Sequence, residues 1–224
     1  MILGLVGFAG SGKGTIGDLL VKNHGYKTES FAKSVKDAAA VIFGWDRSLL
    51  EGDTAQSREF RETKDEYWSK SLKKLITPRI IMQQLGTECG RDVFGTDVWV
   101  SSVERRISQD PDSDYVLTDV RFPNEIKKIQ DMGGKVIRIT RGLKPDWWNT
   151  ASDSPVLMPS LFPEVHRSEY EWICCPYDSI FDNNIDVNRL SARVASLVRD
   201  IHIHVEDTYV EETYVDVLAR LAQR

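Results

Sequence analysis

The chain opens on an unbroken apolar run, Ile2-Leu3-Gly4-Leu5-Val6, that stops at a glycine loop. A run without polar alternation predicts a strand buried on both faces. Helical spacing follows: Ile16, Leu19 and Leu20 share one face of a helix over 15–22, and Gly25 stops it. A second helix is predicted over 33–43, with Val35, Ala38, Ala39 and Ile42 on one face and Gly44 at its end. Residues 46–77 are polar and read as loop. Pro78 starts a helix through Ile81, Met82 and Leu85, and 98–107 reads as another. A short apolar strand at 115–118 precedes a helix over about 124–132, broken by Gly133-Gly134, and 135–140 is again a strand. Residues 141–177 hold five of the eight prolines and three of the six tryptophans without periodicity, which predicts a long irregular insertion serving as a lid. A last strand is expected at 179–181 and a final amphipathic helix over 187–198. Strands alternating with helices predict a parallel sheet covered on both faces. The tail over 201–224 echoes itself, "EDTYV" then "EETYV", too briefly for a repeat architecture. It is a candidate for an extra helix or for an association surface, as in a homodimer.

Composition narrows the class. Of 224 residues, 41% are hydrophobic and 28% charged, which suits one globular domain with a real core. No apolar run approaches the roughly 20 residues that span a bilayer, so no membrane partner is expected. The N-terminus lacks a basic leader and is expected to be the first buried strand, not a signal peptide. A net charge of −5 argues against a broad grip on duplex DNA, although a local basic cleft can sit in an acidic whole. Cys89, Cys174 and Cys175 form no C-x-x-C pair, and a reducing, cytoplasmic setting is expected.

The chemistry begins at 7–15, "GFAGSGKGT". Gly7, Gly12 and Lys13 match G-x4-G-K between a predicted strand and helix, the context that gives this motif its meaning. Glycines let successive backbone N–H groups face a phosphate, and the helix N-terminus adds partial positive charge. Lys13 supplies a mobile cation for the β- and γ-phosphates. Gly10, Ser11, Gly12, Lys13, Gly14 and Thr15 are therefore the expected donor-phosphate cradle. Gly14 stands where a magnesium-binding hydroxyl is commonest, and the hydroxyl comes one later, at Thr15. "GKGT" resembles the loop of adenylate kinase and its nucleoside monophosphate kinase relatives.

Such a loop needs a carboxylate at a neighbouring strand end to organise hydrated magnesium. Asp119 in "YVLTDVRFPNE" stands there, unless it caps the next helix. Thr15 and Asp119 are the expected metal-site residues, and Arg121 is placed to face phosphates. Arg141 and Lys144 open the insertion, where cations on a lid can close over a transferring phosphoryl group or remain solvated. Trp147 and Trp148 are expected to close that loop against the core. His202 and His204 would share a strand face but lack further ligands for a metal.

In "TPRIIMQQLGTECGR", Arg79, Gln83, Thr87 and Arg91 recur every four residues. One polar stripe beside an apolar face suits an anionic acceptor with a hydrogen-bonding base; a solvated helix face would show the same spacing.

Several segments together carry a more specific likeness: "FAKSVK" at 31–36, "SREFRE" at 57–62, the 77–100 segment, "LTDVRFPNE" and "HRSE" at 166–169. Over about residues 1 to 200 the chain resembles the deoxynucleoside monophosphate kinases of tailed bacteriophages. The resemblance implies an adenylate-kinase-like α/β fold built as one P-loop kinase domain. Within it, an acceptor region is implied at about 31–110, a lid at about 141–177, and an extra tail at 201–224. It implies ATP as donor, Mg2+, a deoxynucleoside monophosphate as acceptor, and phage DNA precursor synthesis in the cytoplasm of an infected cell. Lys36, Arg79, Gln83, Thr87, Arg91 and Trp99 are carried over as acceptor-site residues. Arg79, Arg91 and Arg121 would hold the acceptor phosphate, and Gln83 and Thr87 would read base or sugar. Lys13, Asp119, Arg121 and Arg141 would serve catalysis. Relatives often carry an N-D-G turn before the last helix as an adenine-side contact; the turn here is Asp182-Asn183-Asn184, which makes Asn183 the candidate. His166 and Glu169 match the family's H-x-S-E without an assigned role. Two other readings stay open: a kinase for a modified nucleotide or hydroxymethylated DNA, and a non-catalytic nucleotide-binding module.

Overall fold

The computed structural model describes residues 1–201. The repeated motif of the tail, with His202 and His204, lies outside the described residues. Five parallel strands form one sheet in the order β2-β3-β1-β4-β5. They are β1 (Ile2–Val6), β2 (Lys27–Glu29), β3 (Tyr115–Leu117), β4 (Lys135–Thr140) and β5 (Ser179–Asp182). The central strand β1 is buried throughout. Its side chains alternate between two cores: Ile2 and Val6 join one, Leu3 and Leu5 the other. This is why the run reads as continuously apolar.

The helices cover both faces. One side carries α7 (Val98–Ser108) and α8 (Pro123–Asp131) on the Ile2/Val6 core. The other carries α1 (Lys13–His24) and α11 (187–201), through Ile16, Leu20, Leu190, Val194 and Val198. The strand β2 escaped sequence reading because it is a three-residue edge with Lys27 and Thr28 exposed, so no apolar run marks it.

Three expectations change. The stretch 46–77, expected as loop, contains α3 (Ala55–Glu62) and α4 (Glu66–Leu72). Thr54 caps α3 by accepting from the Ser57 N–H at 3.1 Å, and Asp65 caps α4 by accepting from the Trp68 N–H at 2.9 Å. With α2 (Lys33–Phe43) and α5 (Pro78–Gln84) they enclose a third core of Ala39, Leu50, Ile76 and Ile81. The 141–177 segment is only partly irregular. It holds α9 (Trp148–Asp153), α10 (Met158–Leu161) and single 3₁₀ turns. Trp148, Ala151, Met158, Tyr170 and Trp172 are buried with the β1 core. Its order comes from aromatic burial, which has no helical period to read. As expected, Trp148 closes this segment on the core.

A third change concerns the helix after Pro78. Past Gln84 the chain runs as a π-helical stretch (Leu85–Arg91) and a short α6 (Asp92–Phe94). The Trp99 indole explains it. A Cβ on Gly90 would lie 2.4 Å from that ring, and Trp99 Nε1 donates to the Gly86 carbonyl at 2.8 Å. Two weak helix formers and an indole pressed on the turn favour the wider i→i+5 path. The four-residue stripe is therefore interrupted after Gln83.

Candidate active site

With β1 between β3 and β4, the segments leaving the C-terminal ends of these strands converge on one edge, where ligands of open α/β sheets bind. Gly12 caps α1 at φ 94° and contributes no side-chain bond to the first turn, so those N–H donors remain available to an anion. A Cβ on Gly7 would meet the Ile139 carbonyl at 2.4 Å, and one on Gly12 the Asn183 amide nitrogen at 2.3 Å. Only glycine lets the loop approach the rest of the sheet so closely. Beside Gly10 and Gly14 a Cβ would meet nothing within 4 Å, so the loop is open there.

Lys13 folds back over the loop, donating to the carbonyls of Gly7 at 2.6 Å and Phe8 at 2.8 Å. Burial pulls its pKa down to about 8; the charge of Arg121 acts the same way and Glu169 opposes it. A phosphate in the loop would give Nζ a stronger, ionic partner than two carbonyls. Ser11 is buried, and its Oγ lacks a hydrogen-bond partner among the described residues. Asn183 is buried as well and donates from Nδ2 to the Ser11 carbonyl at 2.8 Å. The carboxamide nitrogen thus points into the loop and serves it from behind. Phe8 anchors the opposite side through edge contacts with Trp147, Trp148 and Trp172, at centroid distances of 5.4, 5.6 and 5.3 Å.

Thr15 is exposed in the first turn of α1. Asp119, just beyond β3, accepts from Ser30 Oγ at 2.7 Å and from the N–H groups of Phe31 and Ala32 at 3.3 and 3.0 Å. The carboxylate thus anchors the entry to α2 rather than capping α8. At the start of α8 it is Glu125, in the first turn, whose Oε2 accepts from the N–H groups of Arg121 and of the N-cap residue Phe122 at 2.8 and 3.1 Å. Magnesium in nucleotide sites takes one or two protein oxygens and fills the rest with phosphate and water. An exposed hydroxyl and a carboxylate with one weakly engaged oxygen, Asp119 Oδ1, fit that requirement.

The cations gather beside this edge. Arg121 donates to Glu169 at 2.7 Å. Arg91 donates to Glu125 at 3.1 Å and lies 4.4 Å from the centre of the Phe122 ring. Burial, then the charge of Asp119, raises the Glu125 pKa to about 7, against the backbone donors and Arg91. Arg79 pairs with Glu62 of α3. Arg61, unmarked by the sequence reading, lies close enough to Arg79 and Arg121 for both charges to act on it. Nothing distinguishes Arg61 from a surface arginine in "SREFRE", because its burial arises from contacts made after folding.

The other expected residues fall in different places. Lys36 pairs with Glu51 at 2.5 Å. Gln83 and Thr87 are exposed, one on α5 and one in the π-helical stretch. Trp99 spends its N–H on Gly86, so its indole supports the acceptor helix rather than presenting a donor to a ligand. Arg141 is exposed just past β4, and Lys144 lies 4.5 Å over the Trp148 ring. His166 accepts from the Ser168 N–H at 3.2 Å, which closes the turn that presents Glu169 to Arg121.

A strand–glycine loop–helix with its lysine, at the centre of a parallel sheet and flanked by clustered arginines, defines a P-loop kinase. Comparison with known proteins then gives its relatives. The deoxynucleotide monophosphate kinase family model matches residues 48–153. It is 28% identical over 212 residues to an Acanthamoeba polyphaga mimivirus protein that carries the same kinase description, covering 88% of this chain and 96% of that one. It is 27% identical to the deoxynucleoside-5'-monophosphate kinase of Escherichia phage T5, covering 65% of this chain and 75% of the relative. Among solved structures it superposes on TT1252 from Thermus thermophilus with a TM-score of 0.45 at 14% identity, covering 89% of this chain and 96% of that one. Among the described residues, no helix is long and apolar enough to cross a membrane.

Proposed function

We propose that this chain transfers the γ-phosphoryl group of ATP to the 5′-phosphate of a deoxynucleoside monophosphate, yielding ADP and the deoxynucleoside diphosphate. The observation that carries this reading is electrostatic continuity. Lys13 in the loop feels the charge of Arg121, and Arg121 in turn acts on Arg61 beside Arg79. Arg79 and Arg121 each hold a carboxylate, yet cations drawn this close still favour further anions between them. Two phosphate groups meeting end to end would supply those anions.

The loop N–H groups from Gly10 to Thr15 hold the donor phosphates, and Lys13 neutralises charge on the γ-phosphoryl oxygens and the β,γ-bridging oxygen. Arg79, Arg91 and Arg121 hold the acceptor phosphate in line. An acceptor oxygen forms a bond to γ-phosphorus while the bond to the bridging oxygen breaks and ADP departs. No general base is required, because the acceptor phosphate is already anionic at neutral pH. Thr15 and Asp119 would hold Mg2+, directly or through water, and the ion would supply neutralisation of phosphate charge. Gln83 and Thr87, exposed beyond the arginines, face base or sugar. Arg141 and Lys144 close over the donor from the β4 side. Catalysis here rests on positioning and charge, as phosphoryl transfer generally does.

The test is ADP release from Mg-ATP with single dNMPs, NMPs and base-modified dNMPs as acceptors. Stimulation by an unmodified dNMP supports the reading. Stimulation by a modified acceptor alone would move the specificity, and none at all would leave a nucleotide-binding module.

A further inference from the structure

The site described above makes no use of Arg61, yet the main chain is shaped around it. The residue lies in the last turn of α3, half-buried, and its Nε is buried without a hydrogen-bond partner among the described residues. Nη1 donates to the Glu51 carbonyl at 3.2 Å. The guanidinium lies against Gly52, where a Cβ would sit 1.9 Å from Nη1 and 3.0 Å from Cζ, and Gly52 is held at φ 78°. Both the missing side chain and the left-handed backbone make room for this one group.

What the group lacks, among the described residues, is a carboxylate hydrogen-bonded to it. The Glu51 carboxylate is taken by Lys36 and Arg47, each at 2.5 Å, and Glu62 is taken by Arg79. Burial pushes its pKa down, the like charges of Arg79 and Arg121 act the same way, and Glu62 and Glu51 oppose them only in part. A desolvated cation with an unmet donor and like-charged neighbours is poorly compensated. With Nη1 turned to the Glu51 carbonyl, Nε and Nη2 are the donors left over, and they form the guanidinium edge that can grip two phosphate oxygens at once. The Arg79–Glu62 pair beside it is solvent-exposed, so parting it for an incoming dianion costs little.

We infer that Arg61 is a ligand of the acceptor's 5′-phosphate, gripping it side-on through Nε and Nη2 and sharing it with Arg79 and Arg121. The inference rests on the kinase reading above and adds α3 to the elements that hold the acceptor.

Arg61→Gln and Arg61→Lys test it. Glutamine keeps most of the stem without the charge; lysine keeps the charge without the fork. Steady-state kinetics are run with whichever dNMP the wild type turns over, and melting temperature is recorded beside them. Loss of a charge-assisted bond predicts a dNMP KM raised about 10- to 100-fold in Arg61→Gln, with the KM for ATP within about twofold of wild type. Arg61→Lys should recover part of that loss. An unchanged dNMP KM in the folded Arg61→Gln protein overturns the inference and leaves the kinase reading intact. So does an equal rise in both KM values. If Arg61→Gln melts early, Arg61→Lys decides: charge and packing kept with the dNMP KM unaltered counts against the fork. A wild type inactive with every acceptor would sink both.

Discussion

The side-chain amide of Asn183 reaches the carbonyl of Ser11 at 2.8 Å across a sequence separation of 172 residues. It stands where a side chain on Gly12 would have to go. The end of β5 therefore fixes the phosphate loop from behind, and the loop is a tertiary object as much as a local turn. Asn183→Ala should leave the Ser11 carbonyl unpaired in a buried place, a loss of about 1–3 kcal/mol. The expected outcome is a raised KM for ATP with the acceptor KM little changed. Equal effects on the two substrates would contradict the geometry.

Lys13→Ala should give a folded protein with turnover reduced on the order of 10³-fold, since it removes a charge that acts on the transferring group. Circular dichroism checks the fold and ADP release the rate. Wild-type-like turnover would remove Lys13 from the donor site.

Because burial and Arg121 hold the Lys13 pKa near 8 in the free protein, its proton is lost as pH rises through that value. ATP affinity of the free protein should weaken over the same range. Arg121→Ala removes the repelling charge, so the inflection should move to higher pH. Calorimetric titration with ATP from pH 6.5 to 9.5 measures both.

Glu125 carries the opposite sign of shift, up from 4.5 to about 7, through burial first and Asp119 second. Between those values the folded chain keeps a proton that the unfolded chain releases. Stability therefore falls as pH rises through the window, by about 3 kcal/mol at most. Glu125→Gln removes the titration while its oxygen can still accept from the backbone at 121 and 122. The difference in melting temperature, mutant minus wild type, should grow between pH 5 and 7.5. A flat difference would place the titrating group elsewhere.

Gly90→Ala puts a methyl group 2.4 Å from the Trp99 ring and 2.8 Å from the Leu85 carbonyl. Overpacking of this kind costs about 1–3 kcal/mol and displaces the π-helical stretch. A lower melting temperature and a raised dNMP KM, with the ATP KM retained, are expected. Normal acceptor kinetics would mean that this turn does not shape the acceptor side.

The phosphate loop was legible because backbone and a single lysine carry it, within nine consecutive residues. The strands β1 and β3 were legible because burial on both faces leaves no charged position in them. The π-helical turn was not, since the indole that presses on Gly90 comes from nine residues downstream. The order of 141–177 escaped for a similar reason. It is set by Trp148, Tyr170 and Trp172 finding the β1 core, and aromatic anchors at irregular intervals leave no period.

By itself the sequence determined the parallel α/β plan, the donor loop and the identity of most cations near it, all of which depend on short-range spacing. Tertiary structure alone decided how the charged groups are partnered. Asp119 turns to the entry of α2, Glu125 to Arg91, Glu169 to Arg121, and Arg61 is left with a buried donor unmet. Charge is written residue by residue, but pairing and desolvation depend on which distant segments meet, and no local pattern encodes that.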